Sequence, residues 1–154
     1  LEIMKDSRIG TFGAIALFSI LSLKYLFLYE IDTAILPVVL IAGHSISRFI
    51  SITFLITHSY ARQNDSTSKS GIISQHMSLS EIIIAGIFGI LPMFLLDFKY
   101  FLVLIPLLII RQFTGHYLTE RINGFTGDTL GAAQQLSEIC FYVTVFLLAK
   151  WTFI

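Results

Sequence analysis

The sequence has little charge and a single cysteine, and each scarcity excludes a class of protein. Only 13% of its 154 residues are charged, and ten basic side chains balance ten acidic ones. The chain has no net positive charge, so its composition does not indicate nucleic acid as a partner. Cys140 has no second cysteine with which to form an intrachain disulfide. The sequence also lacks a Gly-x-Ser-x-Gly elbow and paired Cys/His spacing, so hydrolase triads and zinc sites have no support.

Most of the chain consists of apolar residues. They make up 55% of the chain, and the mean hydropathy is +0.81. This composition is typical of a polytopic membrane protein. We expect an all-α transmembrane helical bundle that forms one domain over residues 1–154, with about five spans of the length a bilayer requires. The predicted spans are Ile9 to Tyr29, Leu36 to His58, Ile82 to Leu96, Phe98 to Gln112, and Asp128 to Trp151.

The distribution of basic residues predicts an orientation. The end of the bundle that holds the N-terminus carries more Lys and Arg than the opposite end, where we expect Lys24 to snorkel to the interface. The positive-inside rule then places the N-terminus and the start of the last helix in the cytoplasm. Residues 59–80 read as a loop on that side, because they are rich in Ser, Thr, Asn and Gly.

The segment from Arg121 to Glu138 is the most informative part of the chain. It begins with the turn formers Asn123, Gly124 and Gly127, so the backbone can bend sharply there. Thr126 or Asp128 can cap the helix that follows. Spacing of three or four residues puts a polar stripe along that helix. The members of the stripe are Asp128, Gly131, Gln135, Glu138 and Tyr142.

Two interpretations of this segment compete. It is either an ordinary helix start with a cap, or a site where a helix N-terminus and Asp128 hold a metal-bound diphosphate. Glu138 favours a functional role, because it lies about 15 Å further along, at a depth where an ionisable group is costly. Arg48 lies within the second span and is predicted either to contact phosphate or to pair with Asp6, Asp128 or Glu138.

Two motifs in the sequence resemble a known family, the membrane-integral cobalamin synthases or adenosylcobinamide-GDP ribazoletransferases. One is LEIMKDSRIGTFG at residues 1–13, and the other is GFTGDTLGAAQQLSE at residues 124–138. The resemblance implies a magnesium-dependent transfer late in the synthesis of cobalamin (vitamin B12). Cobinamide phosphate would pass from adenosylcobinamide-GDP to α-ribazole or its 5′-phosphate, with GMP leaving, in a bacterial or archaeal inner membrane.

The resemblance also implies the roles of individual residues. Asp6 and Asp128 would bind Mg²⁺. Glu138, also counted among the catalytic residues, would either orient a ligand or serve as a buried partner of Arg48. Substrate phosphates would contact three arginines, Arg8, Arg48 and Arg121. The diphosphate would approach the turn before the last helix and that helix's first turns, at Asn123, Gly124, Thr126, Gly127 and Gly131.

The sequence departs from the family in one respect, and a second function is also compatible with it. Family members carry an Asp-rich segment before LEIM, so we expect this chain to be truncated at its N-terminus and to have little activity alone. A homo-oligomer is compatible with the sequence. The competing function is a transporter or channel, whose path would be lined by His44, Arg48 and Glu138.

Overall fold

The computed structural model describes residues 10–61 and 78–151, and every regular element in those ranges is a helix. Two of the helices are 3-10 helices, at Leu91–Leu95 and Phe98–Val103. The α-helices are α1 (Thr11–Tyr29), α2 (Leu36–Ile52), α3 (Phe54–Thr57), α4 (Leu79–Ile90), α5 (Leu104–Ile122) and α6 (Gly127–Trp151).

Within the described residues, four segments are long and apolar enough to cross a membrane: Thr11–Tyr29, Leu36–Thr57, Phe98–Ile122 and Gly127–Trp151. Leu79–Leu95 is a shorter apolar helix. Its α-helical and 3-10 parts together reach about 28 Å, close to the thickness of the hydrocarbon layer. The predicted all-α membrane bundle is therefore confirmed.

Two helices extend beyond the predicted apolar runs into their polar flanks. The span that starts at Phe98 continues to Ile122 instead of ending at Gln112, because its polar last turns extend the helix past the apolar segment. The preceding helix starts at Leu79 instead of Ile82. Ser78 and Glu81 form a capping box there: the Ser78 N–H donates to Glu81 Oε2 at 2.7 Å, and the Glu81 N–H donates to Ser78 Oγ at 3.4 Å.

The centre of the bundle is the antiparallel pair α2 and α6. The Ser51 hydroxyl donates to the Leu130 carbonyl at 2.8 Å. Further along the pair, a Cβ added at Gly43 would lie only 2.6 Å from Tyr142 Cε1. Small residues let membrane helices approach each other closely. These two contacts set the register of α2 against α6.

Helix α1 lies at the edge of the bundle, and none of its residues is buried. Phe12 and Phe18 are 90% and 74% exposed, as expected for a lipid-facing surface. Lys24 contacts Gln135 and Glu138, and the Phe27 ring packs 5.4 Å from that of Phe146. Because these contacts advance in the same direction along both helices, α1 and α6 run parallel and begin at the same membrane face.

Candidate functional site

The turn between α5 and α6 is built on a left-handed residue. Asn123 ends α5 with φ 55° and ψ 32°, and its N–H donates to the Thr119 carbonyl at 3.0 Å. Asparagine tolerates this conformation better than most residues other than glycine. The predicted sharp turn is therefore present, and the Asn123 side chain stays exposed.

At Gly124 the backbone of this turn packs closely against residues 59–61, which follow α3. The φ of Gly124 is +153°, and an added Cβ would lie 2.0 Å from the Ser59 carbonyl oxygen. The Phe125 N–H donates to that oxygen at 3.0 Å, and the Ala61 N–H donates to the Phe125 carbonyl at 2.9 Å. Gly124 is buried beneath residues 59–61. This packing requires glycine whether or not a ligand binds, a reason that the sequence did not reveal.

Thr126 is the cap of α6. Its N–H donates to Thr129 Oγ1 at 2.8 Å, while the Thr129 N–H donates to Thr126 Oγ1 at 3.4 Å. The two side chains thus satisfy each other's backbone donors, as in a capping box. Thr126 is completely buried. The capping interpretation is correct for this residue, and its hydroxyl group faces the cap.

The first two turns of α6 are accessible at three predicted positions. Gly127 and Asp128 are exposed in the first turn, and Gly131 is exposed one turn later. A Cβ at Gly131 would meet no atom of the described chain within 4 Å. A ligand could therefore approach the α6 backbone beside a carboxylate, and the predicted roles of these three residues stay predictions.

The stripe continues into a buried polar network. Lys24 Nζ lies 3.0 Å from Glu138 Oε2 and donates to Gln135 Oε1 at 2.6 Å. The Tyr142 hydroxyl donates to Glu138 Oε1 at 2.8 Å. The Lys24 and Glu138 side chains are only 13% and 11% exposed. Both oxygens of the carboxylate therefore have partners within the protein.

This network corrects two expectations. Lys24 does not snorkel to the interface, because Glu138 and Gln135 provide acceptors within the bundle. Glu138 does not pair with Arg48, because Lys24 and Tyr142 occupy its carboxylate. Pairing of an intramembrane charge with an opposite charge is the outcome that its desolvation cost favours. The prediction of a cationic partner for Glu138 was correct, but the partner is Lys24 and not Arg48.

Arg48 lies on the exposed side of α2. The register set by Ser51 against Leu130 and by Gly43 against Tyr142 places it at about the height of Gly131 to Gln135. Arg48 is thus at the correct depth to meet a ligand that lies along the α6 stripe. Its phosphate contact stays a prediction.

Arg121 is in the last turn of α5 and is exposed. Its guanidinium group lies 5.5 Å from the centre of the Tyr117 ring on the same helix. The side chain therefore lies next to the turn that precedes Asp128 in sequence. Its proposed phosphate contact is likewise untested.

Arg111 has a role that the sequence did not indicate. Its Nε donates to Thr53 Oγ1 at 3.1 Å, and its Nη2 donates to the Thr57 hydroxyl. The guanidinium group also lies 5.0 Å from the centre of the Phe54 ring. Arg111 thus joins α5 to α3. The only signal in the sequence was the spacing of the two threonines, which puts both hydroxyls on one helical face.

Asp6 and Arg8 lie outside the described residues. The first turn of α1, which starts at Thr11, lies at the membrane face where Asp128 is exposed, because α1 and α6 run parallel. Within the described part, no group of three or more His, Cys, Asp or Glu residues gathers. Magnesium commonly takes only one or two carboxylates and completes its shell with water and phosphate oxygens. An exposed Asp128 at a helix start fits such a site.

Comparison with known proteins identifies the relatives of this chain. A model of the family described as "Cobalamin-5-phosphate synthase" matches residues 1–146. An adenosylcobinamide-GDP ribazoletransferase of Shewanella frigidimarina is 39% identical over 151 residues, which cover 94% of this chain and 57% of that protein. The corresponding protein of Shewanella pealeana is 40% identical over 156 residues, covering 98% and 60%. The chain thus spans about three fifths of their length. No solved structure matches it.

Proposed function

Because the chain belongs to the cobalamin-5-phosphate synthase family, we propose that this protein is an adenosylcobinamide-GDP ribazoletransferase. A ribose hydroxyl oxygen of α-ribazole or its 5′-phosphate attacks the phosphorus attached to cobinamide. The bond from that phosphorus to the diphosphate bridging oxygen breaks, GMP leaves, and the hydroxyl proton passes to solvent. The observation that carries this proposal is the family match over nearly the whole chain, including the exposed start of α6.

The accessible residues at the start of α6 suit the chemistry of a diphosphate. Transfer at phosphorus depends mainly on positioning and on charge neutralisation, and it needs little covalent help from the protein. Gly127 and Gly131 leave the backbone open to phosphate oxygens, and the helix N-terminus favours negative charge. Arg48, Arg121 and Arg8 supply the guanidinium groups that match phosphate oxygens in a fork geometry.

Magnesium is part of this proposal. Asp128, together with Asp6, would hold the ion, and the ion would neutralise charge on the diphosphate. The exposure of Asp128 in the first turn of α6 supports this assignment, as does the entry of α1 at the same membrane face. On the basis of the positive-inside rule we place that face on the cytoplasmic side. From the family we assign the protein to the inner membrane of a bacterial or archaeal cell.

The test compares two aspartates on opposite membrane faces. Asp128→Asn should lower GMP release from adenosylcobinamide-GDP in proteoliposomes by at least about tenfold to a hundredfold, because loss of even the supporting partners of a metal ligand costs that much. Asp97→Asn is the matched control, since Asp97 is exposed at the other face. It should leave the rate unchanged.

The assay compares both variants with the unchanged protein in the same proteoliposomes. An Asp128→Asn protein that folds and turns over normally would contradict the metal assignment. The transporter alternative predicts solute flux that is indifferent to magnesium. The relatives' names do not support it.

A further inference from the structure

We infer that the Lys24–Glu138 pair is the positioning element that docks α1 on α6. In doing so it sets where the amino-terminal end of α1 lies relative to the start of α6. The catalytic consequence of this inference rests on the proposed function, whereas the docking itself rests on the described contacts alone.

Among the described residues, few other contacts hold α1 in place: Phe27 and Leu28 pack against the core of the bundle, and Glu30 pairs with Lys150. None of the residues of α1 is buried, and its outer surface carries large apolar side chains that face lipid. In a bilayer, apolar side chains gain little by exchanging lipid neighbours for protein neighbours. The packing of Phe27 on Phe146 therefore gives contact area but only weak preference for one arrangement.

The polar network supplies that preference. A Lys or Glu left unpaired at this depth is costly, so the two charges strongly favour each other over separation. The Lys24 ammonium group reaches two acceptors, Glu138 and Gln135, which lie three residues apart on α6. Two acceptors restrict both the height and the rotation of α1. The Tyr142 hydroxyl orients the other carboxylate oxygen from its own helix.

Because Lys24 lies far from the start of α1, a small tilt of α1 about Lys24 would displace the end of the helix that lies at the same membrane face as Asp128. Thr11 begins α1 thirteen residues earlier, so about 20 Å of helix separates Lys24 from the membrane face where Asp128 is exposed. A tilt of about 10° at Lys24 would move that end of α1 by roughly 3.5 Å. Misplacing a reacting group by about 1 Å can cost roughly a hundredfold in rate.

The chain contains a matched control pair. Lys150 Nζ lies 3.2 Å from Glu30 Oε2, and it also joins α6 to the end of α1. The Lys150 and Glu30 side chains are 59% and 50% exposed, whereas the Lys24 and Glu138 side chains are only 13% and 11% exposed. Exposed ion pairs are weak because water solvates both partners after separation. Loss of this pair should leave the position of α1 nearly unchanged.

The experiment measures the distance between spin labels at Thr11→Cys and Ala132→Cys, in a Cys140→Ser background and in the full-length protein. Both labelled positions are exposed, at the starts of α1 and α6. The variants compared in this background are Lys24→Met, the exchange Lys24→Glu with Glu138→Lys, and Lys150→Met.

We expect Lys24→Met to broaden and shift the distance distribution, while Lys150→Met leaves it unchanged. The exchange variant should restore most of the original distribution. Under the proposed function, Lys24→Met should lower kcat by about a hundredfold and raise the magnesium concentration needed for half of maximal activity. It should change the KM for α-ribazole little.

Equal distributions for Lys24→Met and Lys150→Met would overturn the inference. An exchange variant whose distance distribution is as disturbed as that of Lys24→Met would also overturn it. If the unmodified protein releases no GMP, the proposed function fails while the distances still decide the docking.

Discussion

Replacing Gly131 with alanine should make the protein more stable and less active. A Cβ at this position meets no described atom within 4 Å, so the methyl group has no steric cost within the described part of the chain. Gly131 lies inside α6, where glycine is less favourable than alanine by about 0.5–1 kcal/mol. The free energy of unfolding should rise by about that amount.

Activity should fall for a different reason. If the diphosphate rests against the α6 backbone, the methyl group adds about 1.5 Å of carbon at the contact. Displacement of the reacting phosphorus by about 1 Å can lower the rate by about a hundredfold. Stability would be measured by reversible SDS titration in mixed micelles, and activity by GMP release at saturating substrate.

Ala132→Gly is the mirror-image control. Ala132 is also exposed but points about 100° around the helix from Gly131. This variant should lose a similar free energy of unfolding and keep its activity. Gly131→Ala with unchanged turnover, combined with the expected gain in stability, would refute the close approach of the diphosphate to the α6 backbone.

Three further predictions concern the framework of the site. Gly43→Ala should destabilise the α2–α6 pair by about 1–3 kcal/mol, because the alanine Cβ would lie 2.6 Å from Tyr142 Cε1. SDS titration measures the loss of stability, and an unchanged midpoint would contradict the close contact between Gly43 and Tyr142. Thr126→Val should cost about 1 kcal/mol through loss of the cap, whereas Thr126→Ser should cost much less in the same titration. Burial, and secondarily Arg111, lowers the pKa of His58, so folding disfavours its charged form and stability should fall as the pH drops through about 6.5. His58→Gln should weaken that pH dependence, and an identical pH profile for both proteins would exclude it.

The sequence predicted those features that depend on local chemistry or on the bilayer. The spans follow from apolar runs that must match the hydrocarbon layer. The turn at Asn123 and the cap at Thr126 follow from residues that suit left-handed backbone and helix starts. Even the alternative given for Thr126, an ordinary cap, could be read from its position before the helix.

Features that depend on distant parts of the chain could not be read in this way. The sequence showed that Glu138 needs a partner, but the choice between Lys24 and Arg48 depends on which helix packs against which face of α6. Gly124 resembled a ligand-binding glycine, yet the carbonyl that excludes a Cβ there belongs to Ser59, which is 65 residues away in sequence. The role of Arg111 could not be predicted from the sequence, because its hydroxyl partners, Thr53 and Thr57, lie 58 and 54 residues away at another helix.

The contact between residues 59–61 and the turn after α5 limits how the chain can be engineered. The Ala61 N–H and the Phe125 carbonyl are hydrogen-bonded, and a Cβ added at Gly124 would lie 2.0 Å from the Ser59 carbonyl oxygen. A peptide tag inserted before Ala61, or into the turn itself, would separate groups that are buried and paired. Epitope insertions for mapping topology should therefore avoid residues 59–61 and the turn at Asn123 and Gly124.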